Sequence, residues 1–89
     1  MDSPKTYADD NATSHFDQHL DARGLQCPLP LLKAKQSLSK MQPGERLLVR
    51  ASDPGSWDDF ASYAELSSHE LLVRKEVGDE FHFIMLKGA

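Results

Sequence analysis

The same local pattern occurs twice in this chain: a strand-like run, then a cap residue followed at once by proline, then a helix-like run. The first instance is Cys27-Pro28 and the second is Asp53-Pro54. Proline lacks the amide hydrogen that the first turn of a helix leaves unpaired anyway, so it suits that position. Ahead of the first junction, Phe16 to Ala22 alternates apolar Phe16, Leu20 and Ala22 with polar Asp17, His19 and Asp21, the signature of a half-buried strand. Beyond it, Leu31, Ala34, Leu38 and Met41 recur at intervals of three and four, which predicts a helix from Pro28 to Met41 that Pro43-Gly44 stops. Glu45 to Ser52 reads as a second strand, with Leu47, Val49 and Ala51 on one side and Leu48 and Arg50 on the other. Trp57, Phe60, Ala61 and Ala64 form the apolar stripe of a second helix, ended by Ser67-Ser68. His69 to Val77 and Glu80 to Lys87 are two further strands around Gly78-Asp79, a pair suited to a two-residue hairpin turn.

The order is therefore β-α-β-α-β-β. Two crossovers make the first three strands parallel and the hairpin makes the fourth antiparallel. The expected class is α/β: a two-layer βαβαββ sandwich, a mixed four-stranded sheet with both helices on one face. Helices that follow parallel strands start at one edge of the sheet, where open α/β sheets bind ligands. Cys27 and Asp53 would both cap helices there. A two-residue hairpin loop pairs Val77 with Glu80, Glu76 with Phe81, Arg74 with Phe83 and Leu72 with Met85. That register suggests that Val73, Ile84, Leu71 and Leu86 face the core. Phe81, Phe83, Met85, Leu72 and Leu48 would then line the open face as an apolar patch for a partner. A shifted turn would bury the phenylalanines instead.

Eighty-nine residues without a long apolar run make one small domain with no membrane span. Residues 1–14, with Asp2, Asp9 and Asp10 and no apolar core, read as a disordered leader rather than a signal peptide, and 15–89 as the domain. Fourteen acidic residues against ten basic give a net charge of −4, which opposes nucleic acid as a direct partner. Lys33, Lys35 and Lys40 read as the solvated face of a helix. His15, His19, His69 and His82 lack metal-ligand spacing, and no dinucleotide or phosphate-binding loop is present, so no cofactor or metal is expected.

Cys27 is the only cysteine, so no disulfide can form within the chain, and a reducing, cytoplasmic compartment is the natural one. A buried cysteine acting as a small hydrophobe is the bland alternative. The Gly24 turn and the two prolines argue instead for a presented thiol at a helix N-cap, where the dipole would lower its pKa from ~8.5. No histidine can be paired with it from sequence, so a hydrolase dyad is unsupported. A lone thiolate can still accept a group and pass it on.

Leu20-Asp21-Ala22-Arg23-Gly24-Leu25-Gln26-Cys27-Pro28-Leu29-Pro30 resembles the signature of the TusA-like (SirA-like) sulfur-carrier family, whose hallmark is Cys-Pro-x-Pro at the start of the first helix. The likeness continues through Met41-Gln42-Pro43-Gly44-Glu45, Ser52-Asp53-Pro54 and His69-Glu70-Leu71-Leu72, and spans about Phe16 to Gly88. It implies the same βαβαββ sandwich. It also implies a sulfurtransferase-type carrier: Cys27 accepts sulfane sulfur as a persulfide from a cysteine desulfurase or rhodanese-type donor and delivers it to an acceptor protein. By the same resemblance Gly24, Pro28 and Pro30 shape the cysteine loop, flanked by Arg23. Family uses include tRNA thiolation, sulfur supply to molybdenum-cofactor enzymes and sulfur oxidation. The alternative is a non-catalytic interaction module that works through the open sheet face.

Overall fold

The computed structural model describes residues 16–89; the leader expected at 1–14, and His15, lie outside the described residues. The elements run β1 (Gln18–Ala22), α1 (Leu29–Ser39), β2 (Arg46–Ala51), α2 (Ser56–Leu66), β3 (Glu70–Val77) and β4 (Glu80–Leu86). They form the expected α/β sandwich, a mixed sheet in the order β1-β2-β4-β3. Strand β1 pairs parallel to β2, while β4 lies between β2 and β3 and is antiparallel to both. The first three strands thus share a direction, and the hairpin return fills the gap between two of them. Both helices cover one face, where Ala34 and Leu38 of α1 and Phe60 of α2 close a core over Ala22, Leu47, Val49 and Ala51.

The hairpin register near the turn is the expected one: Val77 opposite Glu80, Glu76 opposite Phe81, Arg74 opposite Phe83. A shift between Leu71 and Val73 then replaces the expected Leu72–Met85 pair with Leu71–Met85. The assignment of faces is corrected. Phe81, Phe83 and Met85 lie beneath the helices, while Val73 and Ile84 belong to a small cluster on the open face with Leu48 and Leu72. Strand β2 decides this, because Leu47, Val49 and Ala51 already face the helices and pair with Met85, Phe83 and Phe81. Residues directly opposite in a sheet share a face. Leu48 and Leu72 are on the open side as expected and Leu71 packs against the core. Alternation along β4 puts Leu86 on the open side too.

Arg74 is opposite Phe83 and so lies on the helix side of the sheet, on the edge strand β3. The Arg74 guanidinium lies 4.4 Å from the centre of the Trp57 ring and donates to the Trp57 carbonyl at 3.0 Å. Beneath it, Phe83 stacks on Phe60 with centroids 4.4 Å apart.

At one end of the open face the charges are mutually satisfied. Glu80 Oε1 accepts from Arg50 Nη2 at 2.9 Å and from His82 Nε2 at 3.0 Å, and Oε2 accepts from Arg23 Nη1 at 3.1 Å. Arg23 also donates to both oxygens of Asp21 at 2.9 Å. Hydrogen bonds from His82, Arg50 and Arg23 hold the Glu80 carboxyl down at about 2. A folded-state value below the unfolded one stabilises the fold above the unfolded pKa, and that stabilisation is lost as pH falls through the folded value. Glu80→Gln should therefore lower the thermal midpoint at neutral pH, with the gap from wild type shrinking below pH ~4.5 and nearly closed at pH ~2. A gap that stays constant across melts over that range would contradict this assignment.

Candidate functional site

The chain leaves β1 through a turn in which Gly24 adopts φ 84°, a left-handed conformation that other residues rarely take. Its amide donates to Ser52 Oγ at 2.8 Å, tying the turn to the end of β2. Arg23 points away into the Asp21 and Glu80 cluster. The Gln26 carbonyl then accepts from the Leu29 amide at 2.8 Å, folding Cys27 and Pro28 into a tight turn before α1.

Cys27 is exposed, which disposes of the buried-hydrophobe alternative. It is not the N-cap. Pro28 occupies that position, without a side-chain capping bond, and Pro30 is buried in the first turn of α1. With Pro28 as the cap and Pro30 inside the first turn, the helix starts one residue later than the cap-then-proline pattern suggested. Asp53 is not a cap either, because Gly55 takes that position for α2. Asp53 Oδ2 accepts from the Gly55 amide at 2.9 Å and the Asp53 carbonyl accepts from the Ser56 amide, a local turn that aims α2 toward the thiol.

The two helix starts do meet at one sheet edge. A Cβ at Gly55 would lie 3.1 Å from Cys27 Cβ and 3.4 Å from Sγ, so the bare glycine backbone is what lets α2 close on the cysteine. One turn into α2, Asp59 Oδ2 stands 2.6 Å from Cys27 Sγ. Asp59 is the residue beside the thiol that sequence reasoning missed. Its signal was its place in the first turn of a helix that topology had already directed to Cys27.

This contact reverses the expected ionisation. The hydrogen bond to Asp59, desolvation, and the negative charges of Asp59 and Asp53 all push the Cys27 thiol above its ordinary range. A carboxylate in contact outweighs a helix start whose cap is one residue further on. Among the described residues no group of three or more His, Cys, Asp or Glu could hold a metal ion. Of the histidines, His82 belongs to the Glu80 cluster, and His69 Nδ1 accepts from the Gly88 amide at 3.0 Å. The first turn of α1, which follows the cysteine in the chain, exposes Leu29 and Leu32.

The site is thus a two-layer α/β sandwich that presents one exposed thiol at the edge where both helices begin, with no second cysteine in the chain. The chain belongs to the TusA sulfurtransferase family, whose model, described as "Sulfurtransferase TusA", matches residues 18–87. It is 51% identical over 72 residues to a sulfur carrier protein TusA from Allochromatium vinosum, an alignment covering 81% of this chain and 95% of that one. A SirA-like protein from Desulfitobacterium hafniense shares the fold at TM-score 0.64 and 22% identity, covering 82% of this chain and all of that one. Sulfur relay is the function that the family membership supports.

Proposed function

We propose that this chain carries sulfane sulfur as a persulfide on Cys27, receives it from a cysteine desulfurase or rhodanese-type donor, and relays it to an acceptor protein. The tRNA-thiolation and molybdenum-cofactor routes of the family are the candidate destinations, with the cytoplasm as the compartment and residues 15–89 as the working unit. The observation that carries the reading is the exposure of the only cysteine in a prolyl turn at the edge where both helices begin. In this reading Gly24, Pro28 and Pro30 fix the loop, Arg23 anchors its approach, and Asp53 orients the start of α2. Of the patch that motivated the interaction-module alternative, Phe81, Phe83 and Met85 face the helices, while Leu48 and Leu72 stay on the open face with Val73 and Ile84.

Incubation with a desulfurase and cysteine should add the mass of one sulfur atom to the intact protein, mapped to the Cys27 peptide. No gain with several donors of both classes would reject the reading. The tight approach at Gly55 gives a second expectation. Gly55→Val puts a branched side chain into the space against Cys27 and Asp53, and should slow loading by about tenfold while the far-UV spectrum stays unchanged. Loading at the wild-type rate would mean that the closeness of α2 to the thiol is immaterial.

A further inference from the structure

We propose that Asp59 is the proton-handling residue of Cys27: it keeps the unloaded thiol protonated and relays its proton during sulfur transfer. The inference rests on the sulfur-carrier reading and assigns a second residue to the same site. Three observations converge on it. Asp59 Oδ2 is 2.6 Å from Sγ, the only side-chain hydrogen bond recorded for Cys27 among the described residues. Gly55 has no side chain to hold the first turn of α2 away from the cysteine. The charged groups that act on the thiol are Asp59 from α2 and Asp53 from the preceding loop, and both are acidic.

A thiol donating to a carboxylate is stabilised against ionisation, because the thiolate would face a like charge at contact distance. Only the thiolate attacks small electrophiles well, so the exposed sulfur is kept quiet in the free carrier. Loading needs that proton moved. Cys27 Sγ supplies the electron pair that bonds to the outer sulfur of a donor persulfide, R–S–S–H. The donor S–S bond breaks, and its pair stays on the inner sulfur. Asp59 Oδ2 takes the Cys27 proton and delivers it to that departing sulfur. The balance is Cys27–SH plus R–S–SH giving Cys27–S–SH plus R–SH, with no external oxidant or reductant. Unloading onto an acceptor thiol runs the same exchange in the opposite sense, and Asp59 returns a proton to Sγ as it leaves.

The test compares Asp59→Asn with wild type and with Asp58→Asn, which makes the same charge change one residue away. Two rates are read at neutral pH: alkylation of Cys27 by iodoacetamide, and persulfide gain from a small-molecule alkyl persulfide that needs no docking surface. Asp59→Asn should speed alkylation roughly fivefold and shift its pH profile to lower pH, because the like charge is gone. It should slow persulfide gain by about threefold or more, because the relay is gone. Asp58→Asn should leave both rates within about twofold of wild type. Opposite signs from one substitution are not what a merely structural role produces. If both rates rise together, or alkylation does not rise in a folded Asp59→Asn, the role of Asp59 is overturned. If wild type itself never gains sulfur while its alkylation proceeds, the sulfur-carrier reading fails, and the relay with it.

Discussion

Cys27→Ser gains no sulfur from any donor, and its persulfide signal falls at least about a hundredfold to background. A serine oxygen at this position cannot form the S–S bond by which a sulfane sulfur is held, and no other cysteine exists to substitute for it. The same change should leave stability almost untouched. Cys27 is exposed and packs into neither apolar cluster, so exchanging sulfur for oxygen creates no cavity. The informative result is therefore a pair: loading abolished in intact-mass spectra, and a urea midpoint close to wild type. Sulfur gained by Cys27→Ser would remove the carrier role altogether. A collapse in stability would instead show that the thiol supports the turn.

Phe83→Ala has the largest expected effect on stability. Phe83 is 0% exposed, stacked on Phe60 from α2 and paired through β2 with Val49, so it joins the central strand to the helical layer. Truncating such a ring costs about 3–5 kcal/mol through lost burial and the cavity left behind. A domain of this size has on the order of 5–10 kcal/mol in total, so a substantial part of its stability goes. Phe81→Ala, at the rim under Trp57, should cost about 1–2 kcal/mol because its ring is already partly solvated. Urea unfolding of the two variants decides the matter. Equal and small losses would put the phenylalanines back on the open face.

That correction shows what kind of information the sequence carries. The hairpin register next to the turn was legible from Gly78-Asp79, because a two-residue turn fixes which residues are opposite, but the shift between Leu71 and Val73 that displaced Leu72 from Met85 was not. The face was not, because both sides of β4 are apolar and alternation alone cannot rank Phe81, Phe83 and Met85 against Ile84 and Leu86. Strand β2 broke the tie, but only once it was known to neighbour β4 rather than β3. The edge position of β3 then explained how Arg74 could sit opposite a buried phenylalanine.

By itself the sequence determined the element order, the parallel sense of the first three strands, and the placing of Cys27 at the edge where helices begin. Those follow from local periodicity and chain connectivity, which need no knowledge of side-chain packing. Only the tertiary structure decided the state of the sulfur. A helix start read locally promised a thiolate, but the cap belongs to Pro28, and Asp59, 32 positions along the chain, stands at the thiol. Ionisation depends on the nearest charge in space. Connectivity could bring the two helix starts to one edge, but only the packed structure shows the 2.6 Å contact with Asp59 that pushes the Cys27 thiol up.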